Sequence, residues 1–172
     1  MRRIGYGLLA MVIALVLGTD STSAQSMPGA TQSNSSAPGY GGAVAVSDGD
    51  VLVGEAGNLI GPGAVYVYRR GSSGWAEVGR LEASDGFGGD GFGTAIAVDG
   101  GTMLVSTRPH AQVRGTPVVY VFERTAPGSW VEVGRLPAVE ADDDAGYGSS
   151  LALGEGMAFV GAPATTGPVG DD

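Results

Sequence analysis

A chain of 172 residues with a formal net charge of −9, and with arginine as its only cation besides one histidine, is a poor partner for nucleic acid or an anionic membrane. The absence of cysteine excludes a disulfide framework, a thiolate metal site and a lipid-anchored cysteine. Thirty-two glycines beside a hydrophobic share of 43% describe a chain of strands and turns rather than of helices.

The chain opens on Arg2 and Arg3, continues through the apolar run from Leu8 to Gly18, and reaches the small residues Thr22-Ser23-Ala24. This order predicts a signal peptide over residues 1–24, cleaved after Ala24. The apolar run is short against the roughly 20 residues that span a bilayer, and Asp20 interrupts it. The expectation is therefore a secreted protein, extracellular or periplasmic, with no membrane attachment after cleavage. Residues 25–39 are small and polar and contain Pro28 and Pro38, so they read as a flexible linker.

From residue 40 onward the chain repeats itself. Tyr66-Val67-Tyr68-Arg69-Arg70 returns 54 residues later as Tyr120-Val121-Phe122-Glu123-Arg124. Trp75-Ala76-Glu77-Val78-Gly79-Arg80-Leu81 returns at a spacing of 55 as Trp130-Val131-Glu132-Val133-Gly134-Arg135-Leu136. The segment Tyr40 to Val46 is echoed by Phe92 to Val98 and again by Tyr147 to Leu153. Such self-similarity outranks local propensity in deciding the fold.

Within the central unit apolar residues alternate, which is the period of a strand. Gly93–Val98 reads as a first strand, Thr102–Ser106 as a second, Val118–Arg124 as a third and Trp130–Leu136 as a fourth. Asp99-Gly100-Gly101 closes the first hairpin, with glycine supplying the positive φ that tight turns require. Four antiparallel strands in a repeat of about 55 residues make a β-propeller blade. The fold class is all-β, with blades at 40–91 and 92–146 and a partial one at 147–172. First strands of small residues suit a crowded channel, while Tyr66, Tyr68, Tyr120, Phe122, Trp75 and Trp130 suit the space between blades.

Phe/Tyr-Gly opening a strand, then a hairpin, then Gly-Ala-Pro, resembles the FG-GAP repeat of integrin α-type propellers and of bacterial exported proteins. Unit three fits through Tyr147-Gly148 and Gly161-Ala162-Pro163. Unit two has Ser106-Thr107-Arg108-Pro109 in place of Gly-Ala-Pro, and unit one has Gly54-Glu55-Ala56. The resemblance implies a propeller fold and, for some members, adhesion or ligand binding through loops on one face. It also implies calcium loops in some members, but Ser47–Asp50, Asp99–Thr102 and Gly154–Gly156 are too short to wrap a hard cation. Two acidic stretches between blades remain as weak calcium candidates, Asp85 with Asp90 and the run Asp142-Asp143-Asp144.

Catalytic chemistry is not expected. His110 has Ser106 and Thr107 nearby, but no nucleophile motif surrounds either hydroxyl and no third group is evident. No cofactor motif is present, because the glycines fall at hairpins with no strand-to-helix element behind them. The functional expectation is a binding or adhesion module with a protein or glycan ligand. An enzyme scaffold whose site lies elsewhere and a purely structural repeat are the alternatives. A closed propeller takes roughly four to eight blades, so the chain reads as an incomplete propeller that stops inside a unit. Truncation is the favoured explanation, with self-association through exposed blade edges and decay as the others.

Overall fold

The computed structural model describes residues 39–57, 59–111, 113, 115–138 and 146–163. The expected signal peptide and nearly all of the expected linker lie outside the described residues, as do Asp142, Asp143 and Asp144. Among the described residues there is no helix. The first sheet contains β1 (Tyr40–Ser47), β2 (Asp50–Glu55), β3 (Ala64–Gly71) and β4 (Gly74–Leu81) in sequential antiparallel order. The second sheet contains β5 (Ile96–Asp99), β6 (Thr102–Ser106), β7 (Val118–Ala126) and β8 (Ser129–Pro137) in the same order. A two-stranded piece of a third follows, β9 (Ser150–Gly154) with β10 (Met157–Gly161).

The hairpin turns follow from local chemistry. Asp48 and Gly49 close β1 onto β2 with φ values of 47° and 83°, and Glu155 with Gly156 closes β9 onto β10 at 52° and 74°. Two successive positive-φ residues match the right-handed twist of the flanking strands. Aspartate tolerates that region better than most residues do. Irregularities repeat as well. The β3–β4 register shifts between Val67 and Tyr68, and the β7–β8 register shifts between Val121 and Phe122. Val78 and Val133 are the extra residues, both exposed, and each bulge bends an outermost strand away from edge-to-edge pairing.

The blades stack face to face, with β1 beside β5 and β5 beside β9, so the first strands of successive units form one wall. Leu52, Val65 and Val67 of the first blade share a core with Phe92, Met103, Val105, Tyr120, Phe122 and Trp130 at the second. Tyr120, Phe122 and Trp130 therefore fill the space between blades. Their counterparts Tyr66, Tyr68 and Trp75 lie on the other face of blade one, around Val51 and Val53.

The second blade's first strand begins at Ile96 rather than at the expected Gly93. Gly93 takes φ 94°, and the amides of Gly93 and Thr94 both donate to the Ser106 carbonyl, which breaks the ladder's spacing. The glycine is required by its neighbours. A side chain on Gly93 would meet the Ala64 carbonyl oxygen at 2.8 Å, and one on Gly54 would meet the Gly93 carbonyl oxygen at 2.2 Å. Gly54→Ala is thus expected to destabilise the protein by about 1–3 kcal/mol through overpacking at the blade junction. Urea unfolding checks this, and an unchanged midpoint would refute the close approach. Ser106 occupies the matching position at the next junction, so sequence comparison between the units alone would call the change harmless.

Candidate binding face

The two ends of the blade pair differ in chemistry. At one end the β1–β2 and β5–β6 hairpins meet the β7–β8 turn in a polar latch. Asp50 is wholly buried and accepts from the Gly128 amide at 3.2 Å, from Trp130 Nε1 at 3.1 Å and from the Arg69 guanidinium. Arg124 crosses the same junction, donating to the Gly100 carbonyl at 2.6 Å, to Ser47 Oγ at 3.2 Å and to the Asp48 carboxylate. Its guanidinium also lies 5.1 Å from the centre of the Trp130 ring. The acidic residues of the first hairpin therefore join blade one to blade two.

At the other end three connections interlock: the β2–β3 loop, the link between blades, and the β6–β7 loop. Gly89 donates to the Gly61 carbonyl at 3.0 Å, Phe92 to Pro62 at 2.9 Å and His110 to Gly89 at 2.8 Å. Asp90 organises the link from inside, its buried carboxylate accepting the Phe87 amide at 3.2 Å and the Phe92 amide at 3.0 Å. Burial pushes the Asp90 carboxyl up, against these two amides. These ties present an apolar tip, with Ile60 95% exposed, Leu59 55% and Phe87 41%.

Asp85, at the head of the same link, accepts Tyr120 Oη at 2.7 Å and pairs with Arg135. The tyrosine hydrogen bond, helped by the Arg135 charge, holds its carboxyl below the usual range. Arg135 lies 5.6 Å from the Tyr120 ring centre and also reaches Ser84, whose hydroxyl and amide donate to Glu132 at 2.9 and 3.0 Å. A calcium ion on Asp85 would have to displace a permanent cation, and one on Asp90 would compete with two backbone amides. Among the described residues no three metal-type side chains converge. Ser106 and Thr107 are buried, and their hydroxyls serve the backbone. Ser106 Oγ accepts the Ala95 amide at 3.0 Å, and Thr107 Oγ1 accepts the Val118 amide at 2.9 Å. His110 is exposed on the loop beyond them.

Sequence reasoning passed over Leu59 and Ile60. Their signal was an aliphatic pair in the turn-rich segment Asn58 to Gly63, outside any strand alternation.

Residues 75–122 match the family model described as FG-GAP repeat. The chain carries an FG-GAP repeat. The match runs from Trp75 in β4 to Phe122 in β7, so the FG-GAP unit straddles the two blades and takes in the whole link between them. It includes Phe92-Gly93, the aromatic-glycine pair whose backbone fits against Gly54. No curated protein matches this chain.

The tyrosines of the two blades give a pH signature. Burial, and next a hydrogen bond to Glu55 at 2.5 Å, push the Tyr66 phenol up to about 12. Burial also raises Tyr68 and Tyr120, aided by hydrogen bonds with Tyr40 and Asp85. A raised folded pKa gives stability that is complete below the unfolded value near 10 and lost as pH rises through the folded value. Stability is therefore expected to fall steadily above about pH 10. Tyrosinate absorbance should appear with the loss of tertiary signal. Full ionisation of all tyrosines before unfolding would contradict it.

Proposed function

We propose that this FG-GAP protein is exported and acts as a non-catalytic binding or adhesion module, its blades forming part of a larger propeller. Its loop end would engage a protein partner through Leu59, Ile60 and Phe87. The observation that carries this reading is the placement of a nearly fully exposed isoleucine on loops tied to one another by backbone hydrogen bonds. A rigid apolar tip loses little conformational entropy on docking. Aliphatic side chains favour an apolar pocket on a protein, whereas sugars call for open aromatic faces with polar groups beside them. The leader-like opening supports export, and no helix among the described residues is long and apolar enough to cross a membrane.

Burying Ile60 on binding is worth about 1.5–3 kcal/mol. The test measures adhesion of the purified chain to panels of secreted and cell-surface proteins and, separately, of glycans. The expected result is binding to a protein surface that weakens about tenfold or more in Ile60→Asp, with Tm unchanged. Binding confined to glycans, binding indifferent to Ile60→Asp, or no binding on either panel would each reject the reading.

A further inference from the structure

Four aspartates in the chain precede a glycine: Asp48, Asp85, Asp90 and Asp99. An Asp-Gly bond rearranges without an enzyme, because glycine has no side chain to shield its amide nitrogen from the preceding carboxyl group. The glycine nitrogen bonds to the aspartate Cγ, and the carboxyl hydroxyl leaves with the amide proton as water. The five-membered succinimide that results takes up one water again. Opening at Cγ restores aspartate, whereas opening at the α-carbonyl leaves the main chain running through Cβ, as isoaspartate. The mass is unchanged, and no oxidant, reductant or cofactor takes part.

The fold restrains three of these four sites. Asp90 is 2% exposed, and each of its carboxylate oxygens accepts a backbone amide. A side chain on Gly91 would meet the Arg108 carbonyl oxygen at 2.5 Å, so the backbone there has no room to turn. Asp85 is held by Tyr120 and Arg135, and the Gly86 amide is already donated to the Ala83 carbonyl at 3.1 Å. Asp48 is more open, but Arg124 holds its carboxylate. Asp99 differs on each count. It is exposed at the end of β5, and its carboxylate makes no hydrogen bond or ion pair among the described residues. Among the same residues the Gly100 amide donates no hydrogen bond, and a side chain added at Gly100 or Gly101 would meet nothing within 4 Å.

The turn after Asp99 is also part of the polar latch between blades. The Gly100 carbonyl accepts Arg124 at 2.6 Å and Ser47 Oγ of blade one at 3.0 Å, and the Gly101 carbonyl accepts the Arg124 amide at 2.8 Å. Isoaspartate adds a main-chain atom to a tight hairpin in which Asp99 pairs with Thr102 across two glycines. The two glycine carbonyls then move out of register with Arg124 and Ser47. From an unheld carboxylate, an open turn and a latched neighbour we infer that Asp99 is the site of isoaspartate formation in this chain, and that the change loosens the junction between the blades as the protein ages.

The test incubates the purified full chain at neutral pH, folded and in urea, and maps isoaspartate by electron-transfer fragmentation of its peptides. In the folded chain isoaspartate is expected severalfold faster at Asp99 than at Asp48, with none at Asp85 or Asp90. Urea should bring all four sites to similar rates, because only the fold separates them. Aged wild type should show a lowered Tm. Asp99→Glu keeps the charge but would have to close a disfavoured six-membered ring, so it should hold its Tm through the same incubation. A folded chain that forms no isoaspartate at Asp99, or forms it as fast at Asp85 or Asp90, would overturn the assignment. Full conversion at Asp99 with an unchanged Tm would overturn the link to the junction. None of these readouts depends on the ligand of the loop end.

Discussion

Asp50→Ala is expected to cost about 3–5 kcal/mol, the penalty for breaking a buried ionic network by removing one partner. The carboxylate is fully enclosed and faces three donors on two blades: the Arg69 guanidinium, the Gly128 amide and the Trp130 indole. Alanine strands all three, and the Arg69 guanidinium, 28% exposed, loses its counter-ion. Asp50→Asn keeps one acceptor oxygen but turns an amide donor toward another donor, so its cost should lie between wild type and alanine. Urea unfolding followed by tryptophan emission measures both, because Trp130 reports the junction directly. A loss below about 1 kcal/mol for alanine would show that the latch is not a stabilising element.

Phe92→Ala should be as damaging, at about 3–5 kcal/mol. Phe92 is wholly buried and stands edge-on to Tyr120 at 5.6 Å and to Phe122 at 6.0 Å, with Leu52, Val65 and Val67 of the first blade in the same cluster. Removing the ring opens a cavity at the contact that makes two sheets into one unit, and the neighbouring backbone is pinned by its own hydrogen bonds. Tyr147, its counterpart in the third unit, is half-buried, so Tyr147→Ala should cost well under half as much. Chemical unfolding of the pair of variants checks the ratio. Equal losses would mean that the aromatic at this position acts locally within its own unit rather than between blades.

Much of the architecture was legible in the residues because it depends on short-range periodicity. The seven-residue echoes around Trp75 and Trp130 placed two strands in equivalent positions. Even the bulges at Val78 and Val133 repeat, since each follows the same local run of residues. The start of β5 was misplaced for a local reason too, because Gly93 adopts a left-handed conformation that alternation does not register. Asp50 had no such signal. Its repeat partners are Thr102 and Met157, so nothing in the sequence marked it as an acceptor for the next blade.

The acidic residues and the loop tip show the same division. Asp85 and Asp90 stood out as charges in a glycine-rich link, but their roles depend on Arg135, Tyr120 and the Phe87 and Phe92 amides. Leu59, Ile60 and Phe87 belong to two different connections that meet only when the blades stack. The sequence by itself determined the strands, the hairpins and the repeat, because side-chain alternation and turn chemistry act over a few neighbouring residues. Only the tertiary structure decided that Asp50 is buried and which loops converge, because those outcomes rest on contacts between residues 21 to 80 positions apart.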